Sequence, residues 1–136
     1  MTKELFQKII REISNRDTSS NPKDWSKNNP LFGHCAVVSL IAQEYFGGCL
    51  LRQSLKTISE FAKMKSHYLN QLEDGTIIDF TVEQFEGKLS IDIPKETRSR
   101  EQVLLYPDTQ KRYDLLKYRF KQYEKSHRQQ QHAKGI

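Results

Sequence analysis

Hydrophobic and polar residues alternate in blocks that predict a helix at the N-terminus and a buried helix after a polar loop. Near the N-terminus, apolar residues recur every three or four positions among charged ones, which predicts an amphipathic helix that ends near Asn15. Residues 16–30 are polar, and the single large apolar residue there, Trp25, is expected to pin this loop to the core. From Gly33 to Gly47-Gly48, apolar residues cover most of the helical circumference, which predicts a central buried helix capped by glycine.

The middle of the chain carries the short apolar runs and turn residues that are typical of strands. Residues 66–72 and 76–81 are predicted to pair as a β-hairpin around Glu73-Asp74-Gly75. Three further short elements are expected: strands over residues 49–55 and 90–93, and a helical turn over residues 82–86.

A basic amphipathic helix is predicted near the C-terminus, beginning after Pro107 with Asp108 as its N-cap. The net charge of +5 is concentrated there, because the last 28 residues carry +6 and the first 108 carry −1. Residues 126–136 lack an apolar period and are expected to be frayed or disordered, which leaves residues 1–125 as one globular domain. A stripe of four basic residues follows the helix: Lys117, Lys121, Lys125 and Arg128.

Composition is ordinary for one soluble globular domain: 136 residues, 36% hydrophobic and 29% charged. The longest apolar run, Ala36 to Ala42, is far shorter than the ~20 residues that cross a bilayer, and the N-terminus does not resemble a secretory signal. We therefore expect a cytoplasmic protein without membrane contact. The two cysteines lack the short ligand spacing of zinc sites, so we expect no metal and no cofactor.

Three residue types used in thiol catalysis occur in the order Cys35, His67 and Asp79. Cys35 falls at the start of the predicted central helix, where unpaired backbone N–H groups and the helix dipole favour a thiolate. A thiolate needs a neighbouring base or cation, and His67, at the head of a predicted strand, is a candidate for that role. Asp79 is the candidate that orients the imidazole.

The turn of the predicted hairpin decides whether His67 and Asp79 can meet. A two-residue turn would put the two side chains on opposite faces of the sheet. A three-residue turn over Glu73-Asp74-Gly75, with its glycine in the left-handed conformation, would instead place Leu69 opposite Asp79. His67 and Asp79 would then share a face as diagonal neighbours, roughly 7 Å apart at the backbone. We predict the three-residue turn.

Four short motifs span residues 29–85. They are Asn29-Pro30-x2-Gly33-x-Cys35-Ala36-Val37, Gln43-Glu44-Tyr45-Phe46-Gly47-Gly48, Ser66-His67-Tyr68-x-Asn70 and Asp79-Phe80-Thr81-x2-Gln84-Phe85. Together they resemble the small bacterial proteins called YunG-like, a family that is itself poorly characterised. Members of that family often have glutamine directly before the cysteine, where this chain has His34.

The order of cysteine, histidine and aspartate also resembles the papain-like and transglutaminase-like superfamily. With the predicted elements, this resemblance implies an α+β fold in which a helix bearing Cys35 packs on a small, mainly antiparallel sheet that carries His67 and Asp79. It implies an enzyme, a cysteine hydrolase or acyltransferase acting on amide or ester bonds, such as a peptidase, amidase, deamidase or transglutaminase. A pattern of this kind does not choose among those reactions.

His34 has two candidate roles beside Cys35. Its neutral ring can donate a hydrogen bond to an oxyanion, together with the backbone N–H of Cys35, or it can serve as the base. We keep His67 as the base, because Asp79 offers it an orienting partner and no partner of His34 can be recognised in the sequence.

The expected substrate is a peptide, a protein or a small amide. Gly33 would let the chain approach that substrate closely, and Asn70 and Trp25 are further candidates for contacting it. The competing hypothesis is a non-catalytic binding or regulatory module that uses the basic C-terminal helix to engage RNA or a protein partner.

Overall fold

The computed structural model describes residues 1–89 and 92–134 of the chain. Within these residues the helices are α1 (Lys3–Ile13), α2 (Cys35–Phe46), α3 (Arg100–Val103) and α4 (Pro107–Lys134). The strands are β1 (Cys49–Ser54), β2 (Ser66–Gln71), β3 (Ile77–Ile78) and β4 (Glu96–Arg98). Short 3-10 turns occupy Arg16–Thr18, Ala62–Met64 and Val82–Phe85. The predicted α+β class is confirmed.

The four strands form one antiparallel sheet in the order β3-β2-β1-β4. β1 is a central strand: it pairs along its whole length with β2 on one side, and with β4 on the other. β3 pairs only with Asn70 and Gln71, so the described residues place no strand beside His67 on that edge of β2. The head of β2 is therefore open to groups from other parts of the chain.

The hairpin between β2 and β3 has the predicted three-residue turn. The backbone N–H of Leu72 donates to the Thr76 carbonyl at 2.8 Å, and Asn70 lies opposite Ile78. Gly75 has a φ of +89°, the left-handed value that this turn requires. β3 ends at Ile78, earlier than predicted, and the chain leaves the sheet at Asp79. The turn thereby fixes Asp79 on the same side as His67.

α2 is the central helix, as its apolar circumference predicts, and it ends at Phe46 with Gly47 as its C-cap. α1 and α4 pack around one side of it in a cluster that includes Phe6, Ile10 and Phe120. Trp25 is 8% exposed and its indole N–H donates to the Pro30 carbonyl at 2.8 Å, so it pins the polar loop as expected.

Two elements between the hairpin and α4 were not predicted. β4 consists of three polar residues at a sheet edge, where no apolar alternation marks a strand. α3 begins with a capping box. The Ser99 hydroxyl accepts a hydrogen bond from the Gln102 backbone N–H, and the Gln102 side chain accepts one from the Ser99 backbone N–H. Of the predicted strand over 90–93, residues 90 and 91 lie outside the described residues, and residues 92–93 form a turn.

α4 differs from its prediction at both ends. It begins at Pro107, so Asp108 lies in the first turn, where it pairs with Arg112 at 2.8 Å instead of capping the helix. The backbone is helical to Lys134, whereas residues 126–136 were expected to be frayed or disordered; residues 135 and 136 of that prediction lie outside the described residues. That segment is rich in good helix formers and contains no glycine or proline before Gly135, so helical propensity continues after the apolar period stops.

No helix within the described ranges combines the length and the hydropathy that crossing a bilayer requires.

Candidate functional site

Cys35, His67 and Asp79 are supplied by three different elements. Cys35 is the first residue of α2, His67 is the second residue of β2, and Asp79 directly follows β3. Cys35 is 7% exposed and His67 is fully buried. The backbone N–H of Cys35 has no hydrogen-bond partner in the part of the chain that the structure describes, as expected for the first turn of a helix.

The His67 imidazole is joined directly to the Asp79 carboxylate. Nε2 of His67 lies 2.6 Å from Oδ2 of Asp79. The other carboxylate oxygen accepts the backbone N–H of Thr81 at 3.2 Å, which holds Asp79 in the turn after β3. The predicted diagonal pairing of these two residues is confirmed. Because Nε2 is bonded to Asp79, Nδ1 is the ring nitrogen that does not contact the carboxylate.

The Cys35 side chain also interacts with the His67 ring. Nδ1 of His67 is buried and has no hydrogen bond of ordinary geometry within the described residues. Sγ of Cys35 lies 4.0 Å from the carbonyl oxygen of Ser66, the residue directly before His67. Burial by itself lowers the pKa of His67, but the hydrogen-bonded Asp79 carboxylate and the nearby Cys35 side chain outweigh burial and raise the pKa to about 9. The His67 ring therefore lies between the Asp79 carboxylate and the Cys35 side chain, and both favour its protonated form.

Phe85 seals the histidine from solvent. Its ring meets the His67 ring edge-on at 90°, with the centroids 4.7 Å apart. Phe85 is itself buried in a small cluster with Leu55 and Phe61. The short 3-10 turn after Asp79 therefore supplies the apolar wall behind the His–Asp pair.

A cleft of about 320 Å³ opens in front of Cys35. Neither His67 nor Asp79 lines it, so the thiol faces the cleft while the imidazole and the carboxylate lie behind it. A second cleft, of about 390 Å³, is lined by none of the three residues. The cleft beside the thiol contains Gly33, Cys35, Arg52, Ser66, Tyr68 and Tyr106, among other residues.

His34 is occupied by structural hydrogen bonds. Its Nδ1 lies 3.0 Å from the Phe32 carbonyl oxygen and its Nε2 lies 2.7 Å from the Thr18 hydroxyl. Burial lowers the pKa of His34 to about 4, so the ring is neutral, donating to Phe32 and accepting from Thr18. Neither ring nitrogen is left over for Cys35 or for an oxyanion in this conformation.

Gly33 makes a close approach, but to the chain itself. Its φ is +77°, and a Cβ at this position would lie 2.9 Å from the Ser20 backbone nitrogen and closer still to the Ser19 hydroxyl. The Gly33 N–H donates to the Gln84 side chain at 3.0 Å. Gly33 also borders the cleft, and its close approach to a substrate stays a prediction.

Gln84 is a structural residue for which the sequence offered only a weak signal. It is 2% exposed, and besides accepting from Gly33 it donates to the Thr81 hydroxyl at 2.9 Å. Its backbone carbonyl accepts from the Asn29 side chain at 2.9 Å. Gln84 thus ties the turn that follows Asp79 to the loop that precedes Cys35.

Asn70 and Trp25, the other candidates for contacting substrate, lie away from the cleft lining. Asn70 is 1% exposed and donates to the Ser39 carbonyl of α2 at 3.0 Å, while its Oδ1 has no partner among the described residues. Trp25 holds the loop, as described above. Nowhere in the described ranges are three histidine, cysteine, aspartate or glutamate side chains grouped to hold a metal ion.

The basic stripe on α4 is partly neutralised by the body of the protein. Lys117 pairs with Glu44 of α2 at 2.8 Å, and Lys121 lies 3.6 Å from Glu124 on its own helix. Lys125 and Arg128 make no ion pair within the described chain. Binding of RNA or a protein partner through this stripe remains a prediction.

The fold and the site together define a class: a small α+β protein in which a cysteine at a helix N-terminus lies beside a buried histidine that is paired with an aspartate at the end of an antiparallel hairpin. In a comparison with known protein families, the model of the family described as YunG protein matches residues 2–125 of this chain. The chain belongs to the YunG family.

One relative is the uncharacterized protein YunG of Bacillus subtilis (strain 168). It is 30% identical to this chain over 98 residues, which cover 71% of this chain and 73% of the relative. No solved structure matches the chain.

Proposed function

We propose that this protein is a cysteine-dependent hydrolase or acyltransferase that acts on an amide or ester bond, with Cys35, His67 and Asp79 as its catalytic residues. The single observation that carries the proposal is the 2.6 Å bond between His67 and Asp79, placed behind a thiol that lines a cleft. The arrangement is similar in pattern to the papain-like and transglutaminase-like core, which supports the same class of chemistry.

The reaction begins with attack of the Cys35 sulfur on the carbonyl carbon of the substrate. Nδ1 of His67 already holds the thiol proton in a thiolate–imidazolium pair, so the Cys35 thiolate forms the C–S bond and the carbonyl oxygen becomes an oxyanion. The unpaired backbone N–H of Cys35 is positioned at the helix N-terminus, where it can donate to that oxyanion.

Collapse of the tetrahedral intermediate breaks the bond to the leaving group, which takes the proton back from Nδ1 of His67. The product of this half-reaction is a thioester on Cys35. Water then attacks the thioester in a hydrolase, and an amine attacks it in an acyltransferase, with His67 removing the proton from the incoming group. The C–S bond breaks as this second tetrahedral intermediate collapses, which releases the acyl product and restores the Cys35 thiolate beside protonated His67. Throughout, Asp79 holds Nε2 of His67 and stabilises its positive charge.

Alkylation of Cys35 by iodoacetamide at several pH values tests this proposal, with the modified cysteine identified by mass spectrometry. A thiolate formed with His67 should react at pH 6, where a small free thiol reacts slowly because its pKa is about 8.5. His67→Ala should abolish the reaction at pH 6 and leave a rate that rises with pH as the free thiol does.

Two controls separate the site from the rest of the chain. Cys35→Ser removes the reactive position, and Cys49, which is half-buried and free, serves as an internal reference thiol. If Cys35 in the unmodified protein reacts only at the pH values at which Cys49 reacts, the catalytic proposal is wrong.

A further inference from the structure

The cleft in front of Cys35 is lined by basic side chains. Arg52, Lys65 and Arg112 all contribute to it, and its lining contains no aspartate or glutamate. A cleft whose wall carries one sign of charge attracts a substrate of the opposite sign. Only a cation that has no acidic partner within the protein can bind such a substrate.

Arg112 is already paired within the protein. Its Nε donates to the Asp108 carboxylate at 2.8 Å, and its terminal nitrogens contact Thr18 and Thr109. It is 7% exposed. Arg112 therefore holds α4 against the first loop, and its charge is largely balanced.

Arg52 is oriented but not neutralised. Its Nε donates to the Ser66 hydroxyl at 2.8 Å, and it has no acidic partner within residues 1–89 and 92–134. Glu96 lies beside Arg52 in the register of β1 and β4, but the Glu96 carboxylate is taken by Arg98 at 2.6 Å. Arg52 also hydrogen-bonds the Tyr68 hydroxyl, but that group is neutral, so the guanidinium charge stays unbalanced and the remaining N–H donors can bind a carboxylate.

Ser66 connects this guanidinium to the nucleophile. Its carbonyl oxygen lies 4.0 Å from Cys35 Sγ, and its hydroxyl accepts the bond from Arg52. Tyr68, directly opposite Arg52 in the sheet register, also lines the cleft. Lys65, the residue before Ser66, is exposed at the cleft and has no acidic partner in the described chain.

We propose that Arg52, assisted by Lys65, binds a carboxylate of the substrate next to the bond that Cys35 attacks. The substrate would then be an amide that carries either an acidic side chain or a free carboxyl terminus near the scissile carbonyl. This inference rests on the proposed function, because it assigns the substrate class of the same site.

The test compares alkylating reagents that differ only in a carboxylate. N-iodoacetylglycine and N-iodoacetylglycinamide deliver the same electrophile to Cys35, but only the first presents a terminal carboxylate. We expect Cys35 to prefer the acid about tenfold, relative to the ratio shown by a small free thiol, since bidentate charged hydrogen bonds are strong. The α-amide of N-iodoacetylaspartic acid presents the carboxylate on a side chain, so the better of the two acids identifies its source.

Substitutions locate the preference. Arg52→Gln should reduce it to within about twofold of the free-thiol ratio, Arg52→Lys should retain part of it, and Lys65→Gln should weaken it. Lys63→Gln is the matched control, because Lys63 is a nearby cation that does not line this cleft. The preference should also fall as salt is added.

Failure of this inference is distinct from failure of the proposed function. If Cys35 reacts at pH 6 with both reagents but without preference, or keeps the preference in Arg52→Gln, the carboxylate site is wrong and the catalytic proposal stands. If Cys35 reacts with neither reagent at pH 6, both are wrong.

Discussion

The protein buries two histidines near the start of α2, and the two environments have opposite effects on their charge. His34 and His67 are both fully buried. Burial lowers the pKa of His34 to about 4, whereas the pKa of His67 is raised to about 9 despite its burial. The extent of burial is therefore not what separates them.

The partners of each ring explain the difference. His34 contacts a carbonyl oxygen and a hydroxyl, and the nearby Arg112 further disfavours a positive charge on it. His67 contacts the Asp79 carboxylate and lies beside Cys35, and both favour the protonated ring. One histidine is thus suited to joining loops, and the other to holding a proton.

Removing the hydrogen-bond partner of each ring should separate the roles of the two histidines most clearly. Asp79→Ala leaves His67 buried without its carboxylate, so the rate of Cys35 alkylation at pH 6 should fall on the order of 10²-fold. Thr18→Val removes the hydroxyl partner of His34 and should leave that rate within about twofold, while it costs about 1–2 kcal/mol of stability. Slowing by Thr18→Val with an unchanged rate in Asp79→Ala would instead identify His34 as the base.

The glycine that precedes His34 and the glycine of the hairpin that presents Asp79 form a second matched pair. Gly33 and Gly75 both have a positive φ, but a Cβ at Gly75 would meet no atom within 4 Å. Gly33→Ala should lower the free energy of unfolding by about 3 kcal/mol, from strain and overlap together. Gly75→Ala should cost only the strain, about 1 kcal/mol. Urea denaturation measures both, and equal losses would contradict the packing around Gly33.

The two pKa shifts predict that the free energy of unfolding decreases on both sides of neutral pH: toward acid because of His34 (the acid limb) and toward alkali because of His67 (the alkaline limb). The unfolded pKa of either histidine is about 6.5. Below that pH, the unfolded chain takes up a proton that buried His34 does not bind until about pH 4, so stability falls as the pH drops from 6.5 to 4. His67 keeps its proton up to about pH 9, so its contribution is full below pH 6.5 and is lost as the pH rises through 9.

Each limb should amount to about 1–3 kcal/mol. Denaturant unfolding of His34→Gln should show a weaker acid limb, and unfolding of His67→Gln a weaker alkaline limb. A substitution that changes the opposite limb would show that the two rings had been assigned the wrong charge states.

The smallest effect concerns the backbone that leads into His67. Lys65 has a φ of +65°, which is unfavourable for a residue with a Cβ. Lys65→Gly should relieve that strain and raise the free energy of unfolding by about 0.5 kcal/mol after the added flexibility of the unfolded chain is subtracted. Lys63→Gly, in the preceding 3-10 turn, should lower it, and thermal melts of the two variants distinguish the outcomes.

Local patterns in the sequence predicted much of the fold and part of the candidate site. The apolar circumference of α2 and its glycine cap follow from residues within one segment. The turn at Glu73-Asp74-Gly75 selected the hairpin register, and the register determined that His67 and Asp79 share a face. β4 was missed because a short polar edge strand lacks an apolar alternation.

The sequence by itself determined which residues could meet across one hairpin, because strand parity and turn length are local properties. Only the tertiary structure gave the two histidines different partners. The partners of His34 lie at Thr18 and Phe32, and the wall behind His67 comes from Phe85. Hydrogen bonds and burial of this kind depend on the packing of separate segments, so residue type and spacing could nominate both rings but could not assign their charges.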